Sequence, residues 1–491
     1  MINKEKNGVQ ANQETNYNSA KTWQIGFFAL NNTATNIAMF CMFYYAFFTQ
    51  NILGLGAALI GTIAMSMRMF DAVTDPLIGF IIDRTNGKFG KFRPFMLVGN
   101  VILFITVLLI FRTPAHWATN QKYMFTTVMY AIYIIGYTLQ CTVTKGAQAA
   151  LTNNPKQRPM FTMFDAIYNT ILFSGGTFLV TTVMAPKYPK NMIDPLLWKH
   201  VSLLFMILSA IFTILAITGI WEKDRTEFFG LGENAVQVKF RDYADILKNN
   251  RPIQMLVVAA STDKLASTAI RGAQLYFFSN ILLNTALQGK FSLTSVIPVM
   301  LITIIGVNFS RKAGIKKAFV GATWGSMLML ILTLVVTPML TKSSTGIIIL
   351  LCLMAVQAGV MGISTNIVIP MIADCADYET SRSGRFIPGM MGTLFSFVDK
   401  MISSLSTFIL GMVIAWAGYG NSVIQPNTAV NSKFYIGILF CIFGLPILGH
   451  LASLIAMKFY YLDAPMMEKV KKTINNKKAA GAIVETAATD A

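Results

Sequence analysis

Apolar residues arrive along this chain in blocks of about twenty or more, separated by short polar or basic turns, over almost its whole length. Windows of about 19 residues place such blocks at 23–49, 57–83, 94–112, 122–150, 159–184, 201–221, 252–283, 291–309, 318–340, 345–373, 387–416 and 434–461. Helices of that length match the hydrocarbon thickness of a bilayer, where every backbone polar group must be satisfied internally. The pattern predicts an all-α integral membrane protein of twelve transmembrane helices. They fall into an N-terminal set, 23–221, and a C-terminal set, 252–461, joined by the longest polar stretch, 222–251. Within that connector Phe240, Tyr243, Ala244 and Leu247 recur at helical spacing and predict a short interfacial helix. Polar tails are expected at 1–22 and 462–491. The first twenty residues lack the short apolar core of a signal peptide, so the first span is expected to be a retained helix.

Composition and charge sharpen this picture. The chain is 54% hydrophobic and 13% charged, where a soluble domain carries roughly a quarter charged residues. Its net charge of +18 would suggest nucleic acid in a soluble protein, so the placement of the charge decides. With the N-terminus cytoplasmic, most Lys and Arg fall on the cytoplasmic side. They sit in short loops, such as Arg84, Lys88, Lys91 and Arg93, or Arg311, Lys312, Lys316 and Lys317, and in a tail with Lys469, Lys471, Lys472, Lys477 and Lys478. This is the positive-inside pattern and an anionic-lipid signal, with no nucleic-acid partner. The two basic loops occupy equivalent places in the two halves, as a duplicated six-helix unit requires. Six plus six helices, cytoplasmic termini and a long central loop describe the major facilitator architecture, whose default activity is transport by rocking around a midplane site. A non-transporting membrane sensor is the alternative from another class. An appended signalling domain would indicate it, and the tail after Tyr461 is too short to fold alone.

Cys41, Cys141, Cys352, Cys375 and Cys441 show no paired spacing, and His116, His200 and His450 lie far apart. Neither a disulfide framework, a metal knuckle nor a catalytic set is expected, and no cofactor. The histidines read as loop or packing residues.

Charges inside the hydrocarbon cost roughly 2.5–3.5 kcal/mol each even on lenient scales, and those that persist usually serve function. Arg68, Asp71 and Asp75 are spaced three and four apart, which puts them on one helical face. Two carboxylates so placed can hold Na+ between them or share a proton, with Arg68 neutralising one; a buried ion cluster that only sets packing is the plainer reading. Lys145, Asp165, Asp263, Lys264, Arg271, Asp399 and Lys400 add charges on four further spans and suggest a polar cavity. Lys145 and Asp165 also suit snorkelling to the surface. Gly79, Asp83 and the basic loop through Arg93, with Asp374, Asp377, Glu379, Arg382 and Arg385, read either as a gate of ion pairs or as solvated loops.

The runs Asp71-Ala-Val-Thr-Asp75-Pro76-Leu-Ile-Gly79, Gly90-Lys91-Phe92-Arg93-Pro94, Asn250-Arg251-Pro252 and Ala373-Asp374-Cys-Ala-Asp377-Tyr378-Glu379 resemble the glycoside-pentoside-hexuronide cation symporters, of which the melibiose carrier is a member. The resemblance implies import of a sugar driven by Na+ or H+. It also implies that Asp71 and Asp75 bind the cation, that Arg68 lines the cavity and that Lys400 lies near both the cation and the sugar. The family's first-span Asp falls at Thr35 or Asn36, which weakens a full Na+ cage and favours a proton. Its sugar-binding positions fall on Thr144 beside Lys145, on Asp165, and on Gln148 and Thr365, where aromatic platforms are missing. Lys145, Arg68 and Lys400 together suit an anionic sugar such as a uronide. A lipid or amphiphile carrier is the alternative within the fold. The chain is expected to work as a monomer in the cytoplasmic membrane of a prokaryote, with the bilayer and a small sugar as its partners.

Overall fold

The computed structural model describes residues 19–84, 89–152, 157–225, 248–383 and 388–479, which are helical almost throughout and contain no β-strand. A helix stands at each of the twelve expected blocks. In the first half these are α1 (Thr22–Phe43), α2 (Ala57–Arg84), α3 (Arg93–Phe111), α4 (Thr119–Leu151), α5 (Arg158–Thr170, continued by further helical turns) and α6 (Pro195–Ile220). The second half has α7 (Arg251–Tyr276), α8 (Val296–Ala313), α9 (Ile315–Leu340), α10 (Ser344–Ser383), α11 (Pro388–Ile414) and α12 (Leu445–Phe459), and α13 (Ala464–Ala479) follows. The expected helix at Phe240–Leu247 and the outer parts of both tails lie outside the described residues.

Local sequence explains where the helices begin. Pro94, Pro195 and Pro252 sit in the first turns of α3, α6 and α7, where no intrahelical N–H is needed. Asp194 and Asn250 cap the last two by accepting from Leu196 N and Ile253 N. Among the described residues nine helices are long and apolar enough to cross a membrane, ten if the pair Thr285–Thr294 and Val296–Gly306, bent by 43°, counts as one span. Two long helices fall short of that apolarity, α1 and α7. The first buries Gln24, Asn31, Thr33 and Thr35, and the second carries Asp263, Lys264 and Arg271. Polar groups on a long helix packed among apolar ones need partners inside the bundle.

Helices α1, α3, α4 and α6 pack on one another, as do α7, α9, α10, α11 and α12. The halves meet chiefly where α2 crosses α11. A Cβ on Gly61 would lie 2.9 Å from the Thr407 carbonyl oxygen, and one on Gly411 would lie 2.5 Å from that of Ala57. Glycine is needed there because the two backbones touch, the small-residue contact that packs membrane helices. At the end away from the chain termini the halves are also joined by hydrogen bonds. Tyr276 Oη donates to Gln50 Oε1 (3.0 Å), Ala57 N to the Gly420 carbonyl (2.8 Å), Ile424 N to Asn51 Oδ1 (2.8 Å) and Thr182 Oγ1 to the Ala286 carbonyl (2.8 Å).

Candidate functional site

The three- and four-residue spacing on α2 does bring Arg68, Asp71 and Asp75 together, with Asp71 and Asp75 meeting Lys400 of α11. The Lys400 ammonium lies 2.9 Å from Asp71 Oδ2 and 2.5 Å from Asp75 Oδ2. One cation thus bridges two carboxylates across the seam between the halves. Asp71 is fully buried, and its other oxygen accepts from Thr138 Oγ1 of α4 at 3.0 Å. Asp75 keeps 30% of its side-chain surface accessible. Arg68 Nη1 stands 3.9 Å from Asp71 Oδ2, beside Tyr130, Tyr133 and Tyr137 of α4. Those three tyrosines succeed one another along α4, Tyr130 and Tyr133 edge to face at 5.8 Å between ring centroids and Tyr133 and Tyr137 stacked at 6.0 Å. Sequence reasoning missed this aromatic wall, although its three- and four-residue spacing was the available signal.

Other expected site residues are engaged differently. Thr35 Oγ1 donates to the Asn31 carbonyl one turn back (2.9 Å), and Asn36 Nδ2 donates to Asn169 Oδ1 (2.8 Å). Their recorded bonds run within and between helices, because a threonine hydroxyl in a helix finds its i−4 carbonyl without any ligand. Thr144 accepts from Asn31 Nδ2 (2.8 Å) and donates to the Gln140 carbonyl (2.9 Å), which ties α4 to α1. Gln148 is half-buried on the same helix, and Thr365 is exposed with its hydroxyl on the Met361 carbonyl at 3.1 Å. Asp165 is half-buried near Asn32. Lys145 belongs to α4, but its side chain lies outside the described residues, as does that of Asp83.

The ion clusters at the terminal end join helices within a half. Asp224, just after α6, accepts from the backbone N–H groups of Lys91, Phe92 and Arg93 at 2.9–3.2 Å and from Arg93 Nε at 3.2 Å. Arg93 also stacks over Trp221 at 4.3 Å. The chain enters this cap through Gly90, whose φ of +88° suits only glycine and whose missing Cβ leaves room for the Asp224 carboxylate. Gly79 on α2 faces open space apart from Thr142, 3.9 Å from an added Cβ. In the second half the buried Glu379 accepts from Arg382 Nη2 (2.8 Å) and from Asn250 Nδ2 (2.9 Å), fixing the start of α7 to α10. Asp374 and Asp377 are half-buried and feel Lys471 of α13. Arg385 lies outside the described residues.

A second buried polar cluster escaped the sequence reading. His450 Nδ1 lies 2.9 Å from Asp263 Oδ1, its Nε2 lies 3.0 Å from Ser326 Oγ, and Ser326 Oγ accepts from Gln357 Nε2 at 3.2 Å. Thr323 Oγ1 donates to the second Asp263 oxygen at 3.1 Å. These groups come from α7, α9, α10 and α12, so no spacing along the chain reveals them. The neighbouring Lys264 turns the other way and pairs with Asp399 of α11 at 2.8 Å.

Two helical halves joined around a charged, partly accessible seam define a membrane carrier of the major facilitator type. The chain belongs to the MFS/sugar transport protein family, whose model matches residues 27–464. This is a family of multi-pass membrane transporters, not of enzymes. The chain is 26% identical over 460 residues to the putative glycoside/cation symporter YagG of Escherichia coli K12, covering 92% of this chain and 94% of that one. It is 23% identical over 477 residues to the glucuronide carrier protein homolog of the same organism, covering 95% and 97%. Among solved structures it resembles the nucleoside transporter NupG, with a TM-score of 0.59 at 14% identity over 89% of this chain and 99% of that one, a likeness of fold alone.

Proposed function

We propose that the chain is a symporter of the cytoplasmic membrane that imports a glycoside, pentoside or hexuronide, favouring an anionic sugar, down a gradient of Na+ or H+. The observation that carries this reading is the Lys400 ammonium held between Asp71 and Asp75. A proton on the accessible Asp75, or Na+ between the two carboxylates, competes with that ammonium for the same oxygens. Cation entry thereby loosens the tie between α2 and α11, and the freed Lys400 joins Arg68 at the seam. Cation occupancy and the relative position of the halves become linked, which symport requires. Tyr130 and Tyr133 are buried, whereas the half-buried Tyr137 beside Arg68 keeps an accessible ring for a sugar, and the names of the two relatives, glycoside/cation symporter and glucuronide carrier homolog, point to the same ligand classes.

The test is uptake of radiolabelled neutral glycosides and uronides into proteoliposomes under an imposed Na+ gradient, an imposed H+ gradient, or neither. The expected result is accumulation above the external concentration under one gradient and only equilibration without it. Equilibration alone under both gradients would sink the coupling. No uptake of any sugar would sink the reading as a whole.

A further inference from the structure

Among the described cations at the seam, Arg68, Lys264 and Lys400 each have a carboxylate within 4 Å and Arg271 does not. Arg68 has Asp71, Lys400 has Asp71 and Asp75, and Lys264 has Asp399. Arg271 has no carboxylate within 4 Å and no hydrogen-bond partner among the described residues. A guanidinium stays charged at any physiological pH, so it cannot escape the cost of an apolar setting by losing its proton.

Three observations bear on where this unmatched cation sits. Arg271 lies among the helices of the second half with an accessible side chain. It follows Lys264 by seven residues and Thr268 by three, so all three share one face of α7. That face borders α11, since Lys264 meets Asp399 and Thr268 Oγ1 reaches the Ser403 carbonyl. Because α11 in turn crosses α2, Arg271 lies about two helical turns from the Lys264–Asp399 pair, toward the sealed end and on the C-terminal side of the seam that Arg68 lines from the other half.

We infer that Arg271 is the residue that binds the anionic group of the substrate, a carboxylate or sulfonate on a sugar. The inference rests on the transport reading above and deepens it by assigning specificity to a residue. A planar guanidinium with five donors accepts the two oxygens of a carboxylate, or two of a sulfonate, in parallel hydrogen bonds. Lys400 is held by Asp71 and Asp75, Lys264 by Asp399, and Arg68 faces Asp71 at 3.9 Å, so among these four described cations Arg271 is the one with no carboxylate near it. A neutral glycoside makes no such pair and leaves the charge uncompensated.

The experiment compares wild type, Arg271→Gln and Arg271→Lys in proteoliposomes, with a glucuronide, a sulfonated hexose and a neutral glycoside as separate arms. Size-exclusion profiles in detergent check that each variant folds. For the anion that is the substrate, wild type is expected to show uptake, and Arg271→Gln a KM higher by about ten- to a hundredfold, the loss of a charge-assisted bidentate pair. Arg271→Lys should recover part of that loss, and any neutral-glycoside uptake should change less than threefold. The carboxylate and sulfonate arms show which anion is accepted. Anion uptake unchanged in Arg271→Gln overturns the inference while leaving the transport reading intact, as does wild-type uptake of neutral sugars alone. If Arg271→Gln fails to fold, anion KM values equal to wild type in the charge-retaining but non-bidentate Arg271→Lys overturn it. Uptake of no sugar by wild type overturns the transport reading, and the inference falls with it.

Discussion

Replacing Lys400 by Ala tests the seam directly, because it removes one cation from two carboxylates at once. At an effective dielectric constant of about 20, an ammonium 2.5–2.9 Å from a carboxylate oxygen contributes roughly 6 kcal/mol of gross attraction to each. Much of this is offset by the desolvation of three charges, and breaking buried pairs by removing one partner costs about 3–5 kcal/mol in practice. Arg68, at 3.9 Å from Asp71, remains to compensate one orphaned carboxylate but not Asp75. In the double variant Lys400→Ala with Asp75→Asn, the one remaining charge is the one that Arg68 still faces. The double variant should therefore be more stable than Lys400→Ala alone by about 1–2 kcal/mol, although Asp75→Asn alone should destabilise. Equilibrium unfolding in mixed micelles of the wild type, both single variants and the double variant closes the cycle. If the two single effects add within about 0.5 kcal/mol, the ammonium does not bridge the two carboxylates and the argument for competition with the coupling cation fails.

Asp71→Asn and Asp75→Asn should abolish accumulation against a gradient while leaving some exchange or binding; normal accumulation in both would contradict the assignment of the pair to the cation. Gly90→Ala should destabilise by at least about 1–2 kcal/mol from the left-handed backbone alone, and more because the added methyl meets the Asp224 carboxylate. A thermal melt in detergent reads this, and an unchanged midpoint would refute the cap. His450→Ala strips the buried Asp263 of a partner at 2.9 Å and should cost about 1–3 kcal/mol. In the same melt Asp263→Asn with His450→Ala should fall short of the sum of the singles, and additivity would show that the two do not act as a pair.

The spans were legible because a bilayer imposes one length and one polarity on every crossing, so the blocks at 57–83, 94–112 and 318–340 return as helices within a few residues. The face shared by Arg68, Asp71 and Asp75 was legible for a similar reason: helical periodicity fixes neighbours three and four apart. Contacts between helices were not. Lys400 was expected near both the cation and the sugar positions, and its bridge between the two carboxylates came from the fold, since nothing in a one-dimensional pattern says which of several cations sits opposite an acidic pair. Thr35, Asn36 and Thr144 were read through a template, whereas their hydroxyls and amide are met by carbonyls and side chains of adjacent helices. Asp224 hid for the opposite reason. It follows a span, where a carboxylate looks solvated, and only the fold brings three backbone N–H groups of a distant loop to it.

The ties between the halves differ in kind along the seam, and that difference bears on how the carrier can move. At the far end they are backbone and amide hydrogen bonds, such as Ala57 N to Gly420 and Ile424 N to Asn51, which do not depend on any ion. Deeper in, the tie is Lys400 on Asp71 and Asp75, which a cation can replace. Between these levels the backbones of α2 and α11 touch at Gly61 and Gly411, a contact small enough to act as a pivot. A cation that releases the charged tie therefore shifts load onto that pivot without touching the far-end bonds. On this arrangement, bulk added at Gly61 or Gly411 should slow transport even where cation binding to the carboxylates is intact. Gly411→Ala is the sharper probe, since its methyl would press on the Ala57 carbonyl, next to the amide that bonds Gly420. Cation-dependent thermal stabilisation preserved alongside at least tenfold slower uptake is the expected result. Uptake at the wild-type rate would remove the crossing from the mechanism and leave the charged tie to work about some other axis.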